Sequence, residues 1–226
     1  MNRTAMFVKA MAALVVAATV AGSPAWAKNN RDAEASRATI TLRVYDYTQV
    51  KPATLAAAER EASRILAQAG VTTQWQECPT SHDASKNFSG CAAPQADDYI
   101  VSILPNSMAD VLGKDNTFGT AGSGESHRAA IFYERISERA GGDTTAADVL
   151  AGRVLAREIG SLLLGANPSS RNGIMKARWT SNDLSVLAGN QMYFTAEQAR
   201  QMDTRLVQEA RTRQAESQSK VATNDR

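Results

Sequence analysis

The chain has 226 residues, with 25 Lys or Arg against 23 Asp or Glu, a formal charge of +2. Arg3 and Lys9, both within the first 27 residues, account for that excess; without this segment 23 basic residues face 23 acidic ones. The remainder is neutral, which removes the electrostatic basis for binding nucleic acid or an anionic membrane, and at about 200 residues it suits one domain with a substantial core.

The opening MNRTAMFVKAMAALVVAATVAGSPAWA has early positive charge, an apolar run from Ala10 to Ala21, and Ala25 and Ala27 around Trp26. This is the pattern of a secretory signal peptide over residues 1–27 with an A-x-A cleavage site. The alternative, an uncleaved anchor, needs roughly 20 apolar residues, more than this run supplies. An exported protein is expected, periplasmic or extracellular, with no membrane contact once the leader is cleaved. Residues 28–37 are polar and expected to form a flexible N-terminal arm.

ATITLRVYDYTQV alternates, with Ile40, Leu42 and Val44 on one side, and predicts a strand. Pro52 opens a helical segment whose Leu55, Ala58, Ala62, Ile65, Leu66 and Ala69 recur at helical spacing and which Gly70 ends. Its Glu61 and Arg64 suit an i,i+3 pair on the exposed side. VTTQWQEC and DDYIVSILP predict two further strands; Asp97 and Asp98 are expected at a solvated strand end.

Cys78 and Cys91, the only cysteines, flank a polar loop. In an oxidising compartment a disulfide between them is expected. A metal site on the thiols is the alternative, but there is no C-x-x-C and only His82 lies between them. Residues 105–128 are rich in Gly, Ser and Asn and predict a long loop, with or without a short helix, of the kind that often serves function. The loop lacks a phosphate-binding P-loop pattern, and Ser123, Ser126 and His127 lack a nucleophile elbow. AAIFYERI predicts a strand.

AGGDTTAADVLAGRVLAREIGSLLLG is the longest helical segment, with Thr144 or Thr145 as the expected cap and Gly165 as its stop. It is apolar almost all round, as a helix in the middle of a domain must be. Arg153, Arg157, Glu158 and Ser161 are its polar exceptions. NQMYFTAEQARQMDTRLVQEARTR predicts a C-terminal helix with Thr195 and Gln198 in capping-box spacing, and residues 213–226 are expected to be a frayed polar tail.

Within AREIGSLLLGANPSSRNGIM, Arg157 and Ser161 stand four apart on one helical face with Glu158 beside the first. H-E-x-x-H places two zinc-binding imidazoles at that spacing, with the Glu as general base. The stretch resembles the H-E-I-G-H-L-L-L-G active-site form of metzincin zinc metallopeptidases, specifically of small exported bacterial proteins. Glu158, Gly160, Leu162 to Leu164, Gly165, the Gly173-Ile174-Met175 of a Met-turn, and Trp179 carry the likeness. The resemblance implies an α+β fold over residues 38–212: a twisted, mostly four-stranded sheet, a backing helix, a central active-site-type helix, a Met-turn and a C-terminal helix. It also implies that the loop FGTAGSGESHR, residues 118–128, edges a substrate cleft.

The departures are at the ligands. Arg157 and Ser161 stand at the two histidine positions, and the third position falls on Asn167 by strict spacing or on Pro168 or Ser169 by a longer turn. Arginine has no lone pair for a metal and neutral serine binds zinc poorly. A degenerate member is expected, with no cofactor and with Glu158 a vestigial general base. Its cleft is left for a peptide or protein partner. The alternatives are an active zinc metallopeptidase with atypical ligands, for instance Glu158 with His82 and His127, and an unrelated exported structural protein in which Arg157 and Glu158 simply reach solvent. If the helix is buried, Arg157 requires a carboxylate partner, Glu158 or another.

Overall fold

The computed structural model describes residues 38–81, 87–91, 98–112, 117–122, 126–165, 168–186 and 192–224. The leader, the arm, His82, Asp97, Ser123 and Asn167 lie outside them. Chain order is β1 (Ala38–Asp46), α1 (Pro52–Gln68), β2 (Val71–Cys78), β3 (Tyr99–Leu104), α2 (Asn106–Val111), β4 (Gly119–Ala121), β5 (Arg128–Phe132), α3 (Tyr133–Arg139), α4 (Thr144–Leu164), α5 (Ser181–Val186) and α6 (Ala196–Asn224). The architecture is α+β. One mixed sheet has strand order β2-β1-β3-β5-β4, parallel except for the antiparallel edge strand β4. Five strands stand where mostly four were expected, because the glycine-rich loop folds Gly119–Ala121 onto β5.

The sheet face carrying Ile40, Leu42, Val44, Val101, Ile103 and Ile131 shares one core with α1 and α4. Alternation in β1 and β3 puts those residues in register on the same side. Arg43 points to the opposite face and is also buried, where it meets Asp98 at 2.5 Å. Asp98 is therefore not a solvated strand end, because a buried guanidinium demands a carboxylate. At the sheet edge the Trp75 indole donates to Ser63 of α1 at 2.7 Å. Cys78 at the end of β2 is disulfide-bonded to Cys91.

Three other expectations give way. The segment YERI leaves the sheet at Tyr133 and becomes α3, whose Ile136 buries completely while Glu134 and Glu138 stay exposed, the one-sided burial of a helix. The cap of α4 is Asp143, whose Oδ1 accepts from the Ala146 amide at 3.1 Å, and not a threonine. Helix α6 continues to Asn224 through the segment expected to fray, with Arg205 and Glu209 paired at i,i+4. The reciprocal box at its start is present: Gln198 N donates to Thr195 Oγ1 and Thr195 N to Gln198 Oε1.

Candidate functional site

Helix α4 crosses the core with residues of every face buried, including Leu150, Val154, Leu155, Ile159, Leu162 and Leu163. Two charged side chains are carried inside by that burial. Arg153 is fully buried and its Nε lies 3.3 Å from Glu61 of α1, which also takes Arg64 at 2.8 Å. Arg64 in turn donates to the Tyr193 hydroxyl at 2.7 Å. The Glu61–Arg64 pair thus bridges α1, α4 and the segment before α6; it is not an exposed-side decoration. Desolvation pulls the Arg153 guanidinium below its ordinary value, against the opposing pull of Glu61.

Glu158 is the second charged group, its side chain only 4% exposed. Arg157 Nη1 donates to its Oε1 at 2.9 Å, so the partner is the neighbour in sequence after all. The Arg157 side chain keeps 26% exposure and lies with Cζ 5.6 Å from the centroid of the Trp179 ring. Strand β4 closes over Glu158: a Cβ on Gly119 would stand 2.8 Å from Glu158 Cγ. Ser161, one turn on, donates its hydroxyl back to the Arg157 carbonyl at 3.1 Å. Ser169 is exposed.

The Gly173-Ile174-Met175 turn runs directly beneath this helix. Ile174 and Met175 are buried, and Met175 Sδ lies 3.4 Å from where a Gly160 Cβ would be. Gly173 has φ +74°, and a Cβ there would meet the Tyr193 carbonyl at 2.4 Å, so only glycine suits the position. The turn is fastened by Ser170 N to Met175 O at 2.8 Å, by Ile174 N to Tyr193 O at 3.1 Å, and by the Trp179 indole to Ile174 O at 3.2 Å. Trp179 is thereby a fixed wall and not a free platform.

A cleft of about 420 Å³ opens here, lined by Phe118, Val154, Arg157, Glu158, Arg178 and Trp179 among others. Phe118 comes from the loop expected at the cleft edge, whereas Arg178, which belongs to no spaced motif, was missed. Lys176 sits nearby with its ammonium 2.7 Å from Asp183; that ammonium and the Thr180 donors hold the Asp183 carboxyl down at about 2. His127 is not at the cleft lining; it stacks on Tyr99 of β3, ring centroids 4.6 Å apart. Among the described residues no three His, Cys, Asp or Glu side chains converge as a metal site.

No protein-family model matches the chain, and no curated protein sequence does. Among solved structures it is similar to archaemetzincin from Methanopyrus kandleri, at 13% sequence identity and a TM-score of 0.48. That match covers 75% of this chain and 96% of the other.

Proposed function

We propose that the chain is an exported, metzincin-like pseudoprotease that holds no zinc, cleaves no peptide, and keeps the cleft beside α4 as a peptide- or protein-binding surface. The pairing of Arg157 with Glu158 carries this reading. A guanidinium is permanently cationic and has no lone pair, so at the first ligand position it repels a metal ion where a histidine would bind one. Glu158 accepts from that guanidinium where a protease would keep its carboxylate for a metal-bound water. The Ser161 hydroxyl is turned back onto its own helix. This donor set does not fit zinc. The Met175 turn under Gly160, by contrast, is what a retained metzincin frame requires.

Export rests on the leader sequence and is supported by the Cys78–Cys91 disulfide. No helix among the described residues is long and apolar enough to cross a membrane. The test is metal analysis of purified protein lacking residues 1–27, together with a peptide-cleavage assay with and without chelator. Metal content far below one ion per chain and no chelator-sensitive cleavage are expected. Stoichiometric zinc with chelator-sensitive cleavage would overturn the proposal in favour of an active peptidase with atypical ligands.

A further inference from the structure

We infer that the cleft is a receptor for a carboxylate group on a peptide, bound by Arg157 and Arg178. The inference rests on the pseudoprotease reading only in needing a metal-free cleft open to peptide. Charge comes first. Arg157, Arg178 and Glu158 are the charged residues of the lining, leaving one positive charge in excess. The adjacent Lys176 is already neutralised by Asp183. Arg178 is exposed and makes no ion pair or hydrogen bond among the described residues, so its guanidinium is available.

Geometry selects the kind of anion. Arg157 is held from two directions, by Glu158 on Nη1 and by the Trp179 ring 5.6 Å from Cζ, which orders a side chain that would otherwise sample many rotamers. A guanidinium ordered in this way offers a planar fork, and a planar carboxylate meets it with two parallel hydrogen bonds. Phe118, Val154 and Trp179 supply apolar wall beside the charges. That combination suits a carboxylate on an organic chain better than a fully hydrated inorganic anion. A volume of about 420 Å³ accommodates the end or one side chain of a peptide.

Two sources carry this group, a C-terminal carboxylate and an Asp or Glu side chain, and the test separates them. Uniformly ¹⁵N-labelled protein lacking residues 1–27 has two tryptophans, Trp75 and Trp179. Trp75 sits on β2 against Ser63, away from the cleft lining, and serves as an internal control. The probes are N-acetylated tetra-alanine with a free C-terminus, the same acetylated peptide amidated, and an acetylated, amidated peptide with one Glu in place of Ala. At least one carboxylate form should shift the Trp179 indole resonance and leave that of Trp75 in place, with a Kd about tenfold or more below that of the neutral amide. Which form binds identifies the source.

Arg178→Gln should weaken that binding about tenfold without lowering the midpoint of thermal unfolding, because the side chain is exposed. Four results would overturn the inference. The neutral amide binds as tightly as the carboxylate forms; no probe moves Trp179 at millimolar concentration; Arg178→Gln leaves affinity unchanged; or inorganic phosphate binds more tightly than either carboxylate peptide. Zinc in the purified protein would defeat the pseudoprotease reading, whereas zinc-free protein that ignores the carboxylate would defeat this inference alone.

Discussion

Replacing Arg157 with alanine removes a cationic partner from an almost completely buried carboxylate. Breaking a fully buried pair from one side costs about 3–5 kcal/mol, because a charge is left in a medium that cannot solvate it. An exposed pair is worth about 0–1 kcal/mol. With Glu158 4% exposed but Arg157 26% exposed, the pair lies between these limits. Water entering the vacated space would reach Glu158 from the cleft side. Loss of the stacking on Trp179 adds about 0.5–1 kcal/mol. A total of roughly 2 kcal/mol is expected, equivalent to about 4–8 °C in a domain of this size.

Urea unfolding of Arg157→Ala at pH 7 measures it as a lower midpoint at unchanged slope. The double variant with Glu158→Gln isolates the cause: once the carboxylate is neutral, losing the guanidinium should cost at least about 1 kcal/mol less. A loss below about 0.5 kcal/mol, the range of ordinary surface substitutions, would refute the idea that the cation is structurally required. So would the same loss in both backgrounds, since the effect would then owe nothing to the charge on Glu158.

Gly152→Ala is expected to destabilise by about 2–3 kcal/mol despite the better helix propensity of alanine, since its Cβ would meet the Ala58 carbonyl and Glu61 Cβ, both at 2.6 Å. Thermal unfolding checks this; a neutral or stabilising outcome would mean that α1 and α4 are not packed backbone to backbone. Burial and the Glu77 carboxylate push Glu59 up to about 7. The folded state therefore binds this proton more tightly than the unfolded chain, and stability should fall by about 3 kcal/mol as pH rises from 4.5 through 7. Glu59→Gln should abolish that fall, read from urea midpoints at pH 5 and pH 8; an unchanged pH slope would show that Glu59 is not its source. Replacing Cys78 and Cys91 with alanine should cost about 3 kcal/mol, the entropy of closing a loop of this length. An equal loss when reductant is added to the native protein would assign the effect to the bond and not to the side chains.

Much of the fold was legible because periodicity carries it. The two-residue repeat of Ile40, Leu42 and Val44 and the all-round apolar character of residues 144–164 each have one economical solution, a sheet face covered by helices. Short elements were not legible. The three residues of β4 have too little pattern to read, and YERI could follow either repeat until Ile136 found its place in the core. The site divided in the same way: the spacing of Arg157, Glu158 and Ser161 along one helix was visible, whereas Arg178, Phe118 and Gly119 come from segments without a period.

What the sequence determined by itself is the chemistry available at residues 157 and 161: no fold can give Arg157 a lone pair or make an imidazole of Ser161. The tertiary structure decided which charges pair. Arg157 turns to its neighbour Glu158 and to Trp179, Arg153 reaches Glu61 on another helix, and Arg43 reaches Asp98 across the sheet. Those choices are set by burial, because a charge removed from water takes the nearest opposite charge that packing presents, however far away it lies in the chain.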